Sequence, residues 1–166
     1  MKGGDAMQKK KTVCFTGHRS IIAPHAMTLS AVLENEIVRQ IKGGATVFRA
    51  GGAIGFDTVA ALKVLELKEQ YPSIRLELIL PCKDQTRGWN ELCIRTYKYC
   101  LDHADSVSYV SESYYNGCML ERNRRLVDGA DVCIAYCTQS HGGTYYTCKY
   151  ALKRSVELVN IADRFE

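Results

Sequence analysis

Ala45-Thr46-Val47-Phe48 followed by Arg49-Ala50-Gly51-Gly52-Ala53-Ile54-Gly55-Phe56-Asp57-Thr58 is a short β-rich run that breaks into three glycines and then into a helix. The helix is read from Val59, Ala60, Ala61, Leu62, Val64, Leu65 and Leu67, which make it mainly apolar. A strand-to-helix turn of this kind lets backbone approach a ligand closely, and the helix start offers unpaired N–H groups with a partial positive charge. That is the ordinary construction of an anion site. A tight turn without a ligand has the same spelling. The glycine spacing is neither G-x-G-x-x-G nor a Walker loop, since no Gly-Lys-Ser/Thr follows. Asp57, in the first turn, either caps the helix or accepts hydrogen bonds from a sugar hydroxyl; its charge would repel a phosphate set directly against it.

Before this turn, residues 12–16 (Thr-Val-Cys-Phe-Thr) read as a strand that ends in Gly17-His18-Arg19-Ser20. In an open α/β sheet the carboxyl ends of the strands carry the ligand. Gly17, His18 and Arg19 are therefore placed to meet an anion or a base, or in the case of His18 to brace neighbouring loops. Pro24 leads into a helix with Leu29, Val32, Leu33, Ile37 and Ile41 at helical spacing, closed by Gly43-Gly44.

After it, residues 74–80 alternate as a strand that Pro81-Cys82 ends, and Trp89, Leu92, Cys93, Thr96, Tyr97 and Cys100 form a helical stripe expected to face the core. Residues 105–110 make a further strand. The loop Ser-Glu-Ser-Tyr-Tyr-Asn-Gly at 111–117 could lie over a pocket. In the helix at 119–128, Arg122 and Asn123 are candidates for the pocket, while Arg124 and Arg125 turn to solvent. A strand at 130–136 leads to Gly142-Gly143-Thr144, a second strand–glycine–helix turn in which Thr144 could cap or bond a phosphate oxygen. A helix follows, and residues 156–161 could form a last strand.

Strands alternating with helices predict one α/β, Rossmann-like domain over residues 11–166, its sheet mostly parallel with helices on both faces. Residues 1–10 read as a disordered tail. The chain is long enough, at 166 residues, for a sizeable core. No apolar run approaches membrane-spanning length and the opening residues lack the form of a signal peptide, so no membrane partner and a cytoplasmic setting are expected. The net charge of +4 is spread along the chain; Lys9-Lys10-Lys11 reads as a solvated lead-in, and no nucleic-acid partner is expected from it. Eight cysteines contain no C-x-x-C pair, so they read as reduced and mostly buried, with Cys82 and Cys118 the more accessible, and no metal site is expected.

Cys14-Phe15-Thr16-Gly17-His18-Arg19, Gly51-Gly52-Ala53-Ile54-Gly55-Phe56-Asp57, Arg122-Asn123 with Asp128, and Gly142-Gly143-Thr144 together resemble the YpsA-like branch of the SLOG superfamily, which also holds the DprA/Smf and LOG proteins. The resemblance runs from about Thr12 to Ile161. It implies a Rossmann-like sheet and a pocket for a nucleotide or nucleotide-derived ligand, ADP-ribose-like or a sugar-nucleotide, without a further cofactor. LOG proteins release a base from nucleoside monophosphates. Gly143-Thr144 matches their G-T pair and Arg122 their helical Arg, but Thr147 stands where their Glu would. A hydroxyl cannot replace that carboxylate, which leaves Asp57 as the candidate acid of an alternative N-glycosidase reading. Single-stranded DNA binding is a third reading, by analogy with DprA. A homodimer is plausible because related domains pair. Whether any reaction is catalysed stays open at this level.

Overall fold

The computed structural model describes residues 10–165; the tail expected at 1–10 lies, except for Lys10, outside the described residues. Six strands alternate with helices: β1 Lys11–Gly17, α1 Ala23–Ala26, α2 Leu29–Lys42, β2 Ala45–Ala50, α3 Phe56–Leu67, β3 Arg75–Cys82, α4 Glu91–His103, β4 Ser106–Ser111, α5 Cys118–Val127, β5 Val132–Tyr136, α6 Gly142–Lys153 and β6 Glu157–Asn160, with a closing 3₁₀ turn at Ile161–Arg164. All pairings are parallel, in the order β4-β3-β2-β1-β5-β6. The sheet is thus parallel throughout.

The order explains the two helical layers. From β1 to β4 each new strand joins on the same side, so right-handed crossovers place α2, α3 and α4 on one face. The chain then crosses back from β4 to pair β5 with β1. That reversal puts α5 and α6 on the other face, where α5 packs on β3, β1 and α6. The central strands, buried on both faces, are continuously apolar. In β1, Val13 and Phe15 join the larger core with Leu33, Ile37, Phe56, Ala60 and Val64, while Cys14 faces the smaller core with Leu126, Val127 and Ala151. In β5, Ile134 and Tyr136 face the first core and Cys133 the second.

Two sequence expectations are corrected by packing. Leu92 is not part of the buried stripe of α4: it is 72% exposed, and the helix buries Tyr97 and Cys100, with Trp89 edge-on to Tyr97 just before it. Cys82 and Cys118 are not the accessible thiols. β3 runs through Cys82 and α5 begins at Cys118, so both are enclosed; Cys93 and Cys137 are the partly exposed ones. No cysteine is disulfide-bonded among the described residues. No helix of the described residues is long and apolar enough to cross a membrane.

Candidate functional site

β1 and β5 are neighbours whose following chain segments leave on opposite faces, and a crevice opens between them at the carboxyl edge, as doubly wound sheets dictate. A cleft of about 280 Å³ occupies it. Its walls are Gly17, His18 and Arg19 after β1, Ala53 and Asp57 at the start of α3, Arg122 and Asn123 on α5, and Gly142, Gly143 and Thr144 opening α6. Four separate stretches of sequence are thereby brought to one place. Met119, Leu126, Gln139 and His141 line it too and were not singled out in the sequence. His141 could have been, because it directly precedes the glycine pair.

Gly51, Gly52 and Gly55 do not line the cleft. A Cβ on Gly55 would overlap the backbone of Arg19, and one on Gly52 would overlap Leu80. A Cβ at Gly51 would stand 2.7 Å from the Arg122 guanidinium and 2.9 Å from the Asp57 carboxylate. These glycines let the turn pack against neighbouring chain. The turn also consumes its own polar groups. Ala53 N–H donates to Asp57 Oδ2 (3.3 Å), Thr58 Oγ1 donates to the Ala53 carbonyl (2.8 Å), and Phe56 N–H donates to the His18 carbonyl (3.1 Å). Asp57 therefore closes the loop ahead of α3 while one side of it borders the cleft.

Arg122 is similarly committed. It is 5% exposed, and its guanidinium donates to the Gly51 carbonyl and, through Nε, to Asn123 Oδ1 (2.8 Å). Burial pushes the Asp57 carboxyl up, opposed by Arg122, the Ala53 amide and Arg19. Arg124 and Arg125 turn outward, Arg124 to Tyr146 and both to Glu121.

His18 braces the crevice. Its Nε2 accepts from Thr138 N–H at 2.8 Å, which ties the loop after β1 to the loop after β5. Burial and the neighbouring His141 lower its pKa, in keeping with a neutral ring whose Nε2 carries a lone pair. Arg19 is exposed and makes no hydrogen bond or ion pair among the described residues.

The second glycine turn has the opposite character to the first. His141 is the N-cap of α6, and no side chain caps the helix. Gly142 has φ +89°, and nothing lies within 4 Å of a Cβ placed on Gly142 or Gly143. Thr144 sits within the first turn and does not cap. First-turn N–H groups have no partner inside their own helix, so an uncapped start that shares a cleft with an exposed arginine is fitted to an anion. Thr147 is buried and donates to the Gly143 carbonyl at 2.9 Å, away from the cleft lining.

The tyrosine loop lies elsewhere. Tyr114 borders a separate cleft of about 230 Å³ with Cys82, Asp84, Gln85, Arg87 and Met119, and its N–H donates to Asp84. No group of three or more His, Cys, Asp or Glu side chains is placed to hold a metal among the described residues.

A doubly wound parallel sheet with its cleft at the point of reversal defines a Rossmann-like α/β protein. Within that class the chain belongs to the YspA SLOG family, whose YpsA model matches residues 13–161. A UPF0398 protein of Brevibacillus brevis is 27% identical over 135 residues, spanning 80% of this chain and 72% of that protein. DNA processing protein A from Helicobacter pylori, which binds single-stranded DNA, has a similar fold: TM-score 0.65 at 19% identity, over 93% of this chain and 70% of that one. The Streptococcus pneumoniae protein of the same name gives 0.64 at 16% identity, over 90% of this chain and 49% of that one. At these identities the likeness is one of fold alone.

Proposed function

We propose that the protein binds a nucleotide or nucleotide-derived ligand, ADP-ribose-like or a sugar-nucleotide, with phosphate at the start of α6. The observation that carries this is the convergence on one cleft of an uncapped helix start and an exposed Arg19 that makes no hydrogen bond among the described residues. The cleft borders one carboxylate, Asp57, and two guanidinium groups, so its local charge favours an anion. A single-stranded nucleic acid asks for a row of cations with aromatic platforms along a groove. This cleft offers Arg19 as its exposed guanidinium and no Phe, Tyr or Trp beyond Phe15, which is fully buried. That favours a small molecule.

Calorimetry with AMP and adenosine tests the reading. Arg19→Ala is expected to weaken AMP by about 1.5–3 kcal/mol, the scale of hydrogen bonds to charged groups, and to leave adenosine nearly unaffected. Equal losses for both, or no binding by the wild type, would overturn it.

A second reading, cleavage of an N-glycosidic bond, draws on Asp57, a cleft-bordering carboxyl whose pKa burial raises, as a general acid would need. Thr147 speaks against it: where LOG proteins carry Glu, this hydroxyl is buried and bonded to backbone. Purified protein is therefore expected to bind AMP without releasing adenine over hours. Turnover in the wild type that vanishes in Asp57→Asn would install the hydrolase instead.

A further inference from the structure

Six of the eight cysteines meet another cysteine side chain to side chain: Cys14 with Cys133, Cys82 with Cys118, and Cys137 with Cys148. Cys14 and Cys133 are register partners on β1 and β5, and both they and the Cys82–Cys118 pair are buried. Cys137 is half-buried, so among the described residues the third pair alone has a member that a dissolved oxidant can touch. Cys93, also half-buried, meets no other thiol among the described residues.

The fold holds this pair in place. Cys137 directly follows β5, and the Asn160 side chain pins its backbone, accepting from Cys137 N–H (3.1 Å) and donating to the Cys137 carbonyl (2.9 Å). α6 packs back on β5, and Cys148 lies on its inner side, 5% exposed. The Cys137 thiol donates to the Gln139 carbonyl at 3.2 Å. Gln139 and His141 line the main cleft, and Thr138 donates its N–H to His18. The reduced thiol is therefore one anchor of the chain that walls the cleft. Burial pushes the Cys148 thiol up to about 12, and the adjacent Cys137 thiol adds to the rise. Cys148 thus stays protonated and leaves Cys137 as the first target of an oxidant.

We propose that Cys137 and Cys148 form a reversible disulfide when hydrogen peroxide reaches the loop between β5 and α6, a redox-sensitive switch in the wall of the cleft. The Cys137 sulfur attacks the peroxide, its O–O bond breaks, and Cys137 becomes the sulfenic acid as one water leaves. The Cys148 sulfur then bonds to the Cys137 sulfur and displaces its hydroxyl, which departs with the Cys148 proton as a second water. The peroxide is reduced by two electrons and the thiol pair oxidised by two. Sulfurs already in contact have little distance to close to the S–S length of about 2 Å. A disulfide carries no proton, so the Gln139 carbonyl loses its donor and the loop its anchor. The switch operates whatever the cleft binds.

The test treats the full chain with hydrogen peroxide, alkylates the remaining thiols and digests with chymotrypsin, since cleavage after Tyr146 parts Cys137 from Cys148. Mass spectrometry is expected to find the Cys137 and Cys148 peptides joined, with Cys14, Cys82, Cys118 and Cys133 still free, and dithiothreitol to release them. Cys148→Ala should instead leave a sulfenic acid on Cys137 that dimedone captures. Oxidation should speed hydrogen exchange of the Thr138 amide at least tenfold in the wild type and leave it unchanged in Cys137→Ser. No joined peptide, Cys137 joined to a different cysteine, or Thr138 exchange that the disulfide does not move would overturn the switch.

Discussion

Glycines in this protein carry two different burdens, and substitution separates them. Gly55 and Gly142 both have positive φ, +88° and +89°. A positive φ strains alanine at either place by about 1–2 kcal/mol, and more at Gly55, whose ψ of −124° lies outside the left-handed helical region. At Gly55 the added methyl also meets the Arg19 backbone, which cannot rotate away, whereas at Gly142 it meets nothing. Gly55→Ala is therefore expected to cost well over the strain term and Gly142→Ala no more than it, as urea denaturation would read; equal costs would contradict the packing role. Asp57 makes a prediction in pH. Burial holds its folded carboxyl above the ordinary value of about 3.9, so the unfolded chain releases this proton first. This group's contribution to stability is thus present at low pH and falls as pH rises through the window above about 4. Asp57→Asn keeps an acceptor for Ala53 N–H and has no such loss, so its stability relative to wild type should improve between pH 4 and 7. A difference that stays flat with pH would show that the carboxyl is not held up.

Helices and strands were legible in the sequence wherever the pattern was local. Leu29, Leu33 and Ile37 announce α2, and Gly43-Gly44 its end; the alternation in residues 74–80 announces β3. The roles of Gly51, Gly52 and Gly55 were not legible, because their partners Arg122, Leu80 and Arg19 come from other elements. Leu92 misled because helical spacing fixes a stripe but not how much of it a neighbour covers. The candidate cleft was legible as two glycine turns at strand ends; that the later turn lends it its glycines while the earlier one lends it Ala53 and Asp57 depended on where Asp57 and Arg122 spent their hydrogen bonds. Glu36 was missed altogether. It is a fully buried carboxylate on α2 that accepts from Arg39 (2.7 Å), Gln40 (2.8 Å) and Arg164 (3.0 Å), so it fastens the closing 3₁₀ turn to the body. Burial raises its pKa, but those donors outweigh burial and hold it below the usual value. Its contribution is then present above about pH 4.3 and lost as pH falls through the lowered folded value. Glu36→Gln should cost about 1–3 kcal/mol at pH 7, with a smaller gap from wild type at pH 3. Urea unfolding at the two pH values checks this, and a gap that widened at pH 3 would contradict it.

Across the protein, the reversal between β1 and β5 determines where a ligand can sit. Here β1 is followed by helix on one face and β5 by α6 on the other, so the chain parts above the sheet edge and leaves a crevice. The same reversal separates the two apolar cores and brings α6 with its open first turn to face Arg19. A crystal structure with ADP bound bears on this at the level of atoms. The phosphate is expected within hydrogen-bond distance of backbone N–H groups at Gly142, Gly143 or Thr144, with the Arg19 guanidinium turned toward it. Phosphate found instead at the Gly51-Gly52 turn, or a nucleotide held away from the β1/β5 crevice, would contradict the account.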